Sequence, residues 1–199
     1  MVEIEYAVFG ASLCFLLLIG LMILLWAWST YNRLTGLALT VGKDWGQIDV
    51  LLQERFDLIP NLQGIVEGYT SHESKIWESF ASARGAYDSS NSVGNPNMAK
   101  IGDSNMLVAA ATMSLRAVAE QYPELKADSQ YLKFMNTLTK MEDNIADRRE
   151  FYNEMVLNYN FAIASIPAII IARLMGLTSK EFFRVTDKTV REAPRVKFN

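Results

Sequence analysis

Tyr6 to Trp28 reads YAVFGASLCFLLLIGLMILLWAW, an uncharged run whose length meets the roughly 20 residues a helix needs to cross a bilayer. Glu3 and Glu5 precede it and aromatic residues close it, whereas a cleavable signal peptide carries a positive leading region and a shorter apolar core. The run is therefore expected to stay as an anchor, with Tyr6, Leu16 and Leu24 inside it. Trp26 and Trp28, with Tyr31 after them, stand where an interfacial aromatic belt belongs. A buried core helix is the alternative reading. Arg33 and Lys43 follow the span and no Lys or Arg precedes it, so the positive-inside rule puts the N-terminus outside and the rest of the chain in the cytoplasm. The chain divides on this reading into a tail and span (1–30), a helical body (31–177) and a C-terminal tail (178–199).

The composition narrows the rest. With 19 Lys+Arg against 22 Asp+Glu the net charge is -3, which gives no basic field to hold phosphates and argues against nucleic acid as a partner. One cysteine, Cys14, and one histidine, His72, exclude an internal disulfide, a multi-cysteine metal site and any site that needs two histidines. Cys14 reads as a small apolar residue facing lipid or a neighbouring helix.

Beyond the anchor, Leu34, Leu37, Val41, Trp45, Ile48 and Leu52 recur at steps of three and four, which predicts an amphipathic helix leaving the membrane. Pro60 disfavours helical geometry at Ile59 and fits the first turn of a new helix. The first helix is therefore expected to end near Asp57 and a second to run from about Pro60 to Tyr87. Ser89 to Asn105 has loop composition. Ser104 is placed to cap a third helix reaching Gln121, Tyr122-Pro123 stops it, and a fourth starts near Ala127 and continues until Pro167. The tail is expected to hold one short helix around Glu181 to Phe183. No stretch alternates with period two, so the fold class is all-α: an N-terminal transmembrane helix continuing into an antiparallel four-helix bundle with long helices.

Catalytic patterns are sparse. His72-Glu73 lacks the second histidine of a zincin, since position 76 is Ile. Asp49, Asp57, Glu73, Glu142 and Asp143 are candidates for a di-iron site, but that site uses a Glu-x-x-His pair on each of two helices and one histidine cannot supply both. No phosphate loop and no G-x-S-x-G elbow is present. Catalytic, cofactor and metal residues are thus predicted to be none. Arg149, Asn153 and Asn160 share one helix face, and a buried polar stripe needs partners. Asp57 and Asn61 are the proposed ones, giving a structural network that fixes helix register.

These residues also carry a resemblance. Trp45-x-Gln47-Ile48-Asp49-Val50, Arg55-x-Asp57-Leu58-Ile59-Pro60-Asn61-Leu62, Gly68-Tyr69, His72-Glu73 and Ala83-Arg84 are similar to strings of the LemA family of bacterial membrane-anchored proteins. So are Tyr122-Pro123, Glu142, Arg149, Tyr152-Asn153, Val156, Tyr159-Asn160, Pro167 and the closing Pro194 and Val196-Lys197-Phe198. The resemblance implies a single N-terminal span, a helical bundle, a bacterial inner membrane and no established catalytic activity. Asp44, Gly46, Glu54, Glu67 and Ile166 depart from the family's usual residues and make the surface more acidic.

Three functions compete: a non-enzymatic, self-associating scaffold that organises or shapes the membrane, an adaptor for a membrane protease or transporter, and, with least weight, an unrecognised enzyme using Asp57, His72, Glu73 and Arg149. The expected partners are the lipid bilayer, further copies of the chain and, for the adaptor, another membrane protein. Phe161 to Leu177 is apolar but too short, and too interrupted by Pro167 and Arg173, to be a second span. Phe161, Ile166, Ile169, Ile170 and Leu174 are therefore the interface candidates, for lipid or a neighbouring subunit. The alternative is that Pro167 turns the chain back to cover the end of its own bundle.

Overall fold

The computed structural model describes residues 2–70, 73–91 and 96–184. These residues are all-α, with α1 Val2–Glu67, α2 Ser74–Ser90, α3 Met98–Gln121, α4 Pro123–Ala127, α5 Ser129–Ala164 and α6 Ala168–Leu174, and no strand among them. His72 and the closing Pro194, Val196, Lys197 and Phe198 lie outside the described residues.

The helix class follows the period of the apolar positions, but several boundaries differ from those the local signals predict. α1 does not stop near Asp57; it passes through Pro60 to Glu67. A proline inside a helix costs about 3 kcal/mol. Here the ring lies on the exposed side, and continuing the helix takes Ile59, Leu62 and Val66 out of water, which offsets that cost at about 1.5–3 kcal/mol for each large apolar side chain. α3 begins at Met98 because the Asn97 carboxamide accepts the Lys100 N–H at 3.1 Å. Ser104, expected as the cap, is instead a buried mid-helix residue whose hydroxyl donates to the Ala83 carbonyl at 2.7 Å. α5 starts one residue past Asp128, whose carboxylate accepts the N–H groups of Gln130 and Tyr131, both at 2.8 Å. Glu181 to Phe183 form no helix, for a reason given with the site below.

The chain forms two compact units, residues 2–43 with Glu154–Lys180 and Asp44–Asn153 with the chain from Glu181. In the larger unit α1 buries Ile48, Leu52, Phe56, Ile59, Leu62 and Val66, and Phe80, Leu115 and Tyr152 are buried on α2, α3 and α5. Side-chain pairs link these helices: Phe56 with Tyr87 at 5.4 Å between ring centres, Arg84 to Asp57 at 3.3 Å, Arg116 to Thr139 at 3.0 Å and Arg148 to Gln47 at 2.9 Å. The smaller unit has a smaller core of Leu34, Ala162 and Ala172, flanked by Leu37, Ile163, Ile171, Met175 and Leu177.

The end of α6 explains how that small core closes. Gly176 has φ +67°, the Leu177 N–H donates to the Ala172 carbonyl at 3.0 Å and the Gly176 N–H to the Arg173 carbonyl at 3.1 Å. This is the Schellman arrangement, with the apolar contact that accompanies it supplied by Leu177 and Ala172. Glycine fits because a side chain would be strained at that positive φ.

Candidate membrane-interface site

The apolar run of α1 is uncovered by the rest of the chain. Tyr6, Leu16, Leu24 and Trp28 are all exposed, and Trp26 sits at the border between exposed and half-buried. This part of α1 is long and apolar enough to cross a membrane. Just past it, Trp26, Thr30, Arg33 and Leu34 line a cavity of about 180 Å³ together with Phe161, Ala162, Ser165, Ile166, Pro167 and Ala168.

α6 turns 97° from α5 and has two unlike faces. Ala172 and its neighbours Ile171 and Met175 pack on Leu34. The other face leaves Ile170 57% and Leu174 81% exposed, continuing Ile166 at 89% and Phe161 at 70%. Ile169 is half-buried. The interface candidates thus separate into four uncovered side chains and one that is partly packed. Covering the unit's own end and presenting an apolar surface, which the sequence offers as alternatives, are both present on one short helix.

A Tyr-Asn pair on α5 grips the main chain in each unit. In the smaller one the Tyr159 hydroxyl donates to the Thr178 carbonyl at 3.0 Å, and the Asn160 amide both donates to the Lys180 carbonyl at 2.9 Å and accepts the Lys180 N–H at 2.8 Å. In the larger one Tyr152 donates to the Glu181 carbonyl at 3.1 Å, and Asn153 donates to the Phe183 carbonyl at 3.0 Å and accepts its N–H at 2.8 Å. The backbone groups that a helix around Glu181 to Phe183 would need are taken by these side chains, which is why that segment is not helical. Burial raises the Tyr159 pKa, and burial with the neighbouring Glu181 pushes Tyr152 up to about 12. Both hydroxyls therefore remain donors throughout the physiological range.

The polar network takes other partners than those expected. Asp57 and Asn61 are exposed, and Asp57 pairs with Arg84 instead of Arg149. The Arg149 guanidinium lies 5.6 Å from the Phe183 ring centre, its buried Nε has no acceptor, and burial lowers its pKa. The physical reason lies in α1: continued through Pro60, it gives its inner face to Ile59 and Leu62 and turns Asp57 and Asn61 to water.

Sequence reasoning missed Arg55. This side chain is buried, its Nη2 donates to Asn105 Oδ1, and burial, opposed by Glu142, lowers its pKa to about 10. The signal was available, since Ile48, Leu52, Arg55, Ile59 and Leu62 step by three and four and put a charge in the core register. Asp49 was read only as a possible metal ligand; it accepts the Tyr87 hydroxyl and the Asn91 amide. Among the described residues no three His, Cys, Asp or Glu side chains are grouped to hold a metal ion.

A helical, membrane-associated protein with one N-terminal apolar helix and side-chain clamps on its own backbone is the class these features define. The chain belongs to the LemA family, which its residues 44–198 match. It is also similar to two magnetosome proteins MamQ of Paramagnetospirillum magneticum, 40% identical over 70 residues, which is 35% of this chain and 26% of each relative. Magnetosome protein MamQ of Magnetospirillum gryphiswaldense is 38% identical over 69 residues, 35% of this chain and 25% of the relative. The matched segment is thus about a quarter of the length of these curated relatives.

Proposed function

We propose that the protein is a non-catalytic, self-associating scaffold that organises the bacterial inner membrane, anchored by α1 with its N-terminus outside and its body in the cytoplasm. One observation carries this reading: Leu39 is 70% exposed although it stands about 16 Å beyond Trp28 along α1, past the reach of the headgroup layer. Leu157 is likewise exposed. The exposed Leu39 stands between Gly36 and Gly42, where an added Cβ would meet nothing within 4 Å, and this apolar, small-residue face lets a second helix approach closely. Arg33 and Lys43 beyond the span support the orientation.

The larger unit is read as an antiparallel four-helix bundle. Supporting this, Trp45 and Gln47 of α1 and Tyr69 just past its end contact Tyr152, Arg148 and Asp128 of the chain leading into and along α5, in descending order. An adaptor for a membrane protease or transporter is the second reading, since the same exposed Leu39 suits a different chain. The mass of the detergent-extracted protein is the test. A closed homo-oligomer supports the scaffold, a stoichiometric second polypeptide supports the adaptor, and a monomer removes both.

A further inference from the structure

The cavity beside the end of the span lies at a defined depth. Arg33 is five residues past Trp28, about 7.5 Å along the helix, which is the outer edge of a headgroup layer about 5–7.5 Å thick, and Trp26 lies on its inner side. The cavity lined by Trp26, Arg33, Phe161 and Ile166 therefore belongs to that layer whenever α1 spans. Phe161 and Ile166 of that lining, and Ile170 and Leu174 on the following helix, are uncovered, side chains that would each lose about 1.5–3 kcal/mol of transfer free energy by staying in water. Arg33 forms no ion pair among the described residues, and Arg173 in the last turn of α6 adds a second exposed cation. An apolar rim with unpaired guanidinium groups is the chemistry that receives an anionic lipid: acyl chains against the rim and the phosphate on arginine, which binds it with its planar fork of donors.

We propose that α6 lies flat in the headgroup layer of the bilayer that α1 crosses, with Ile166, Ile170 and Leu174 in the acyl boundary and a phospholipid phosphate held at Arg33. The proposal rests on the anchored reading above and is independent of self-association.

The test uses the full-length chain in a Cys14→Ser background, reconstituted in phosphatidylcholine vesicles containing phosphatidylglycerol. Leu174→Cys carries an environment-sensitive fluorophore, and Leu132→Cys on α5 carries the same label as a reference. The expected result is a blue-shifted Leu174 label quenched by spin-labelled phospholipid at every protein-to-lipid ratio, with the Leu132 label quenched by aqueous iodide. A Leu174 label open to iodide overturns the proposal, and so does protection that vanishes on dilution in lipid, because a second copy then covers the face. Flotation separates the two readings: protein that leaves the vesicles in urea sinks the anchor, whereas protein that floats with a water-exposed Leu174 sinks only this inference. For the headgroup, Arg33→Gln should lower the preference for spin-labelled phosphatidylglycerol over phosphatidylcholine by about fivefold, the effect of one cation at the surface. Arg33→Lys should retain most of it. An unchanged preference in Arg33→Gln, or its loss on adding inorganic phosphate, overturns the lipid assignment.

Discussion

In the larger unit α1 hides Ile48, Leu52, Ile59, Leu62 and Val66, whereas in the smaller unit the same helix hides Leu34 and Val41 and leaves Tyr31 and Leu39 open. The stripe residues Leu34, Val41, Ile48 and Leu52 are buried in both units; Tyr31 and Leu39, off the stripe, lie open. The larger unit has enough facing helices to close on itself in water and even encloses a charge, Arg55. The smaller buries Leu34, Val41, Val156 and Tyr159 with the small Ala162 and Ala172, while Phe161, Ile166, Ile170 and Leu174 face outward. One helix period thus runs through a unit that encloses its large apolar groups and one that leaves several of them uncovered.

Truncation in the two cores breaks this comparison most sharply. Phe80→Ala, in the larger unit, should cost about 3–5 kcal/mol, and Leu34→Ala about 2 kcal/mol, the low end for such changes, because its surroundings can collapse. Thermal unfolding in detergent reads both, and equal losses would mean that the smaller unit has a core as complete as the larger. Next in size is Asn105→Leu, which strips Arg55 of its acceptor and should cost about 1–3 kcal/mol. Arg55→Met added to it should restore most of that stability, since an apolar side chain of similar volume often replaces a buried charge without loss; a double variant weaker than Asn105→Leu refutes this account of the core. Gly176→Ala forces a side chain into left-handed geometry at about 1–2 kcal/mol. Hydrogen exchange should then accelerate at the Lys180 amide and not at Phe80, confining the damage to the smaller unit.

The smallest effect concerns acid. The Asp128 carboxyl is held below the ordinary carboxylate value by the Tyr131 N–H, then by the Tyr69 hydroxyl and the Gln130 N–H. A depressed folded value means that the stabilisation is complete above the unfolded pKa of about 3.9 and is lost as pH falls through the lower folded value. Asp128→Asn should therefore be less stable than the wild type at neutral pH and should show a shallower decline below about pH 4. Parallel curves of stability against pH for the two proteins would disprove the linkage.

Much of this was legible in the sequence, and the failures have causes. The span needed no tertiary information because Tyr6 to Trp28 contains no charge. Pro60 misled because a local backbone rule was weighed without the apolar residues at 59, 62 and 66, whose burial carries the helix onward. Asn153 and Asn160 were seen to share a face, but their partners are peptide groups, which no side-chain pattern announces. Ile166, Ile170 and Leu174 were readable as apolar; which face of α6 the chain leaves open depends on how Ala172 meets Leu34, a contact between distant parts of the sequence.

The clamp at Lys180 has a consequence for how this sequence can vary. Asn160 holds the carbonyl and the N–H of that residue and asks nothing of its exposed side chain. Nineteen of the twenty amino acids present the same two groups, and proline alone lacks the donor. Position 180 is thus free to drift in charge and size over evolutionary time while the segment stays docked, with proline as the substitution that purifying selection should remove.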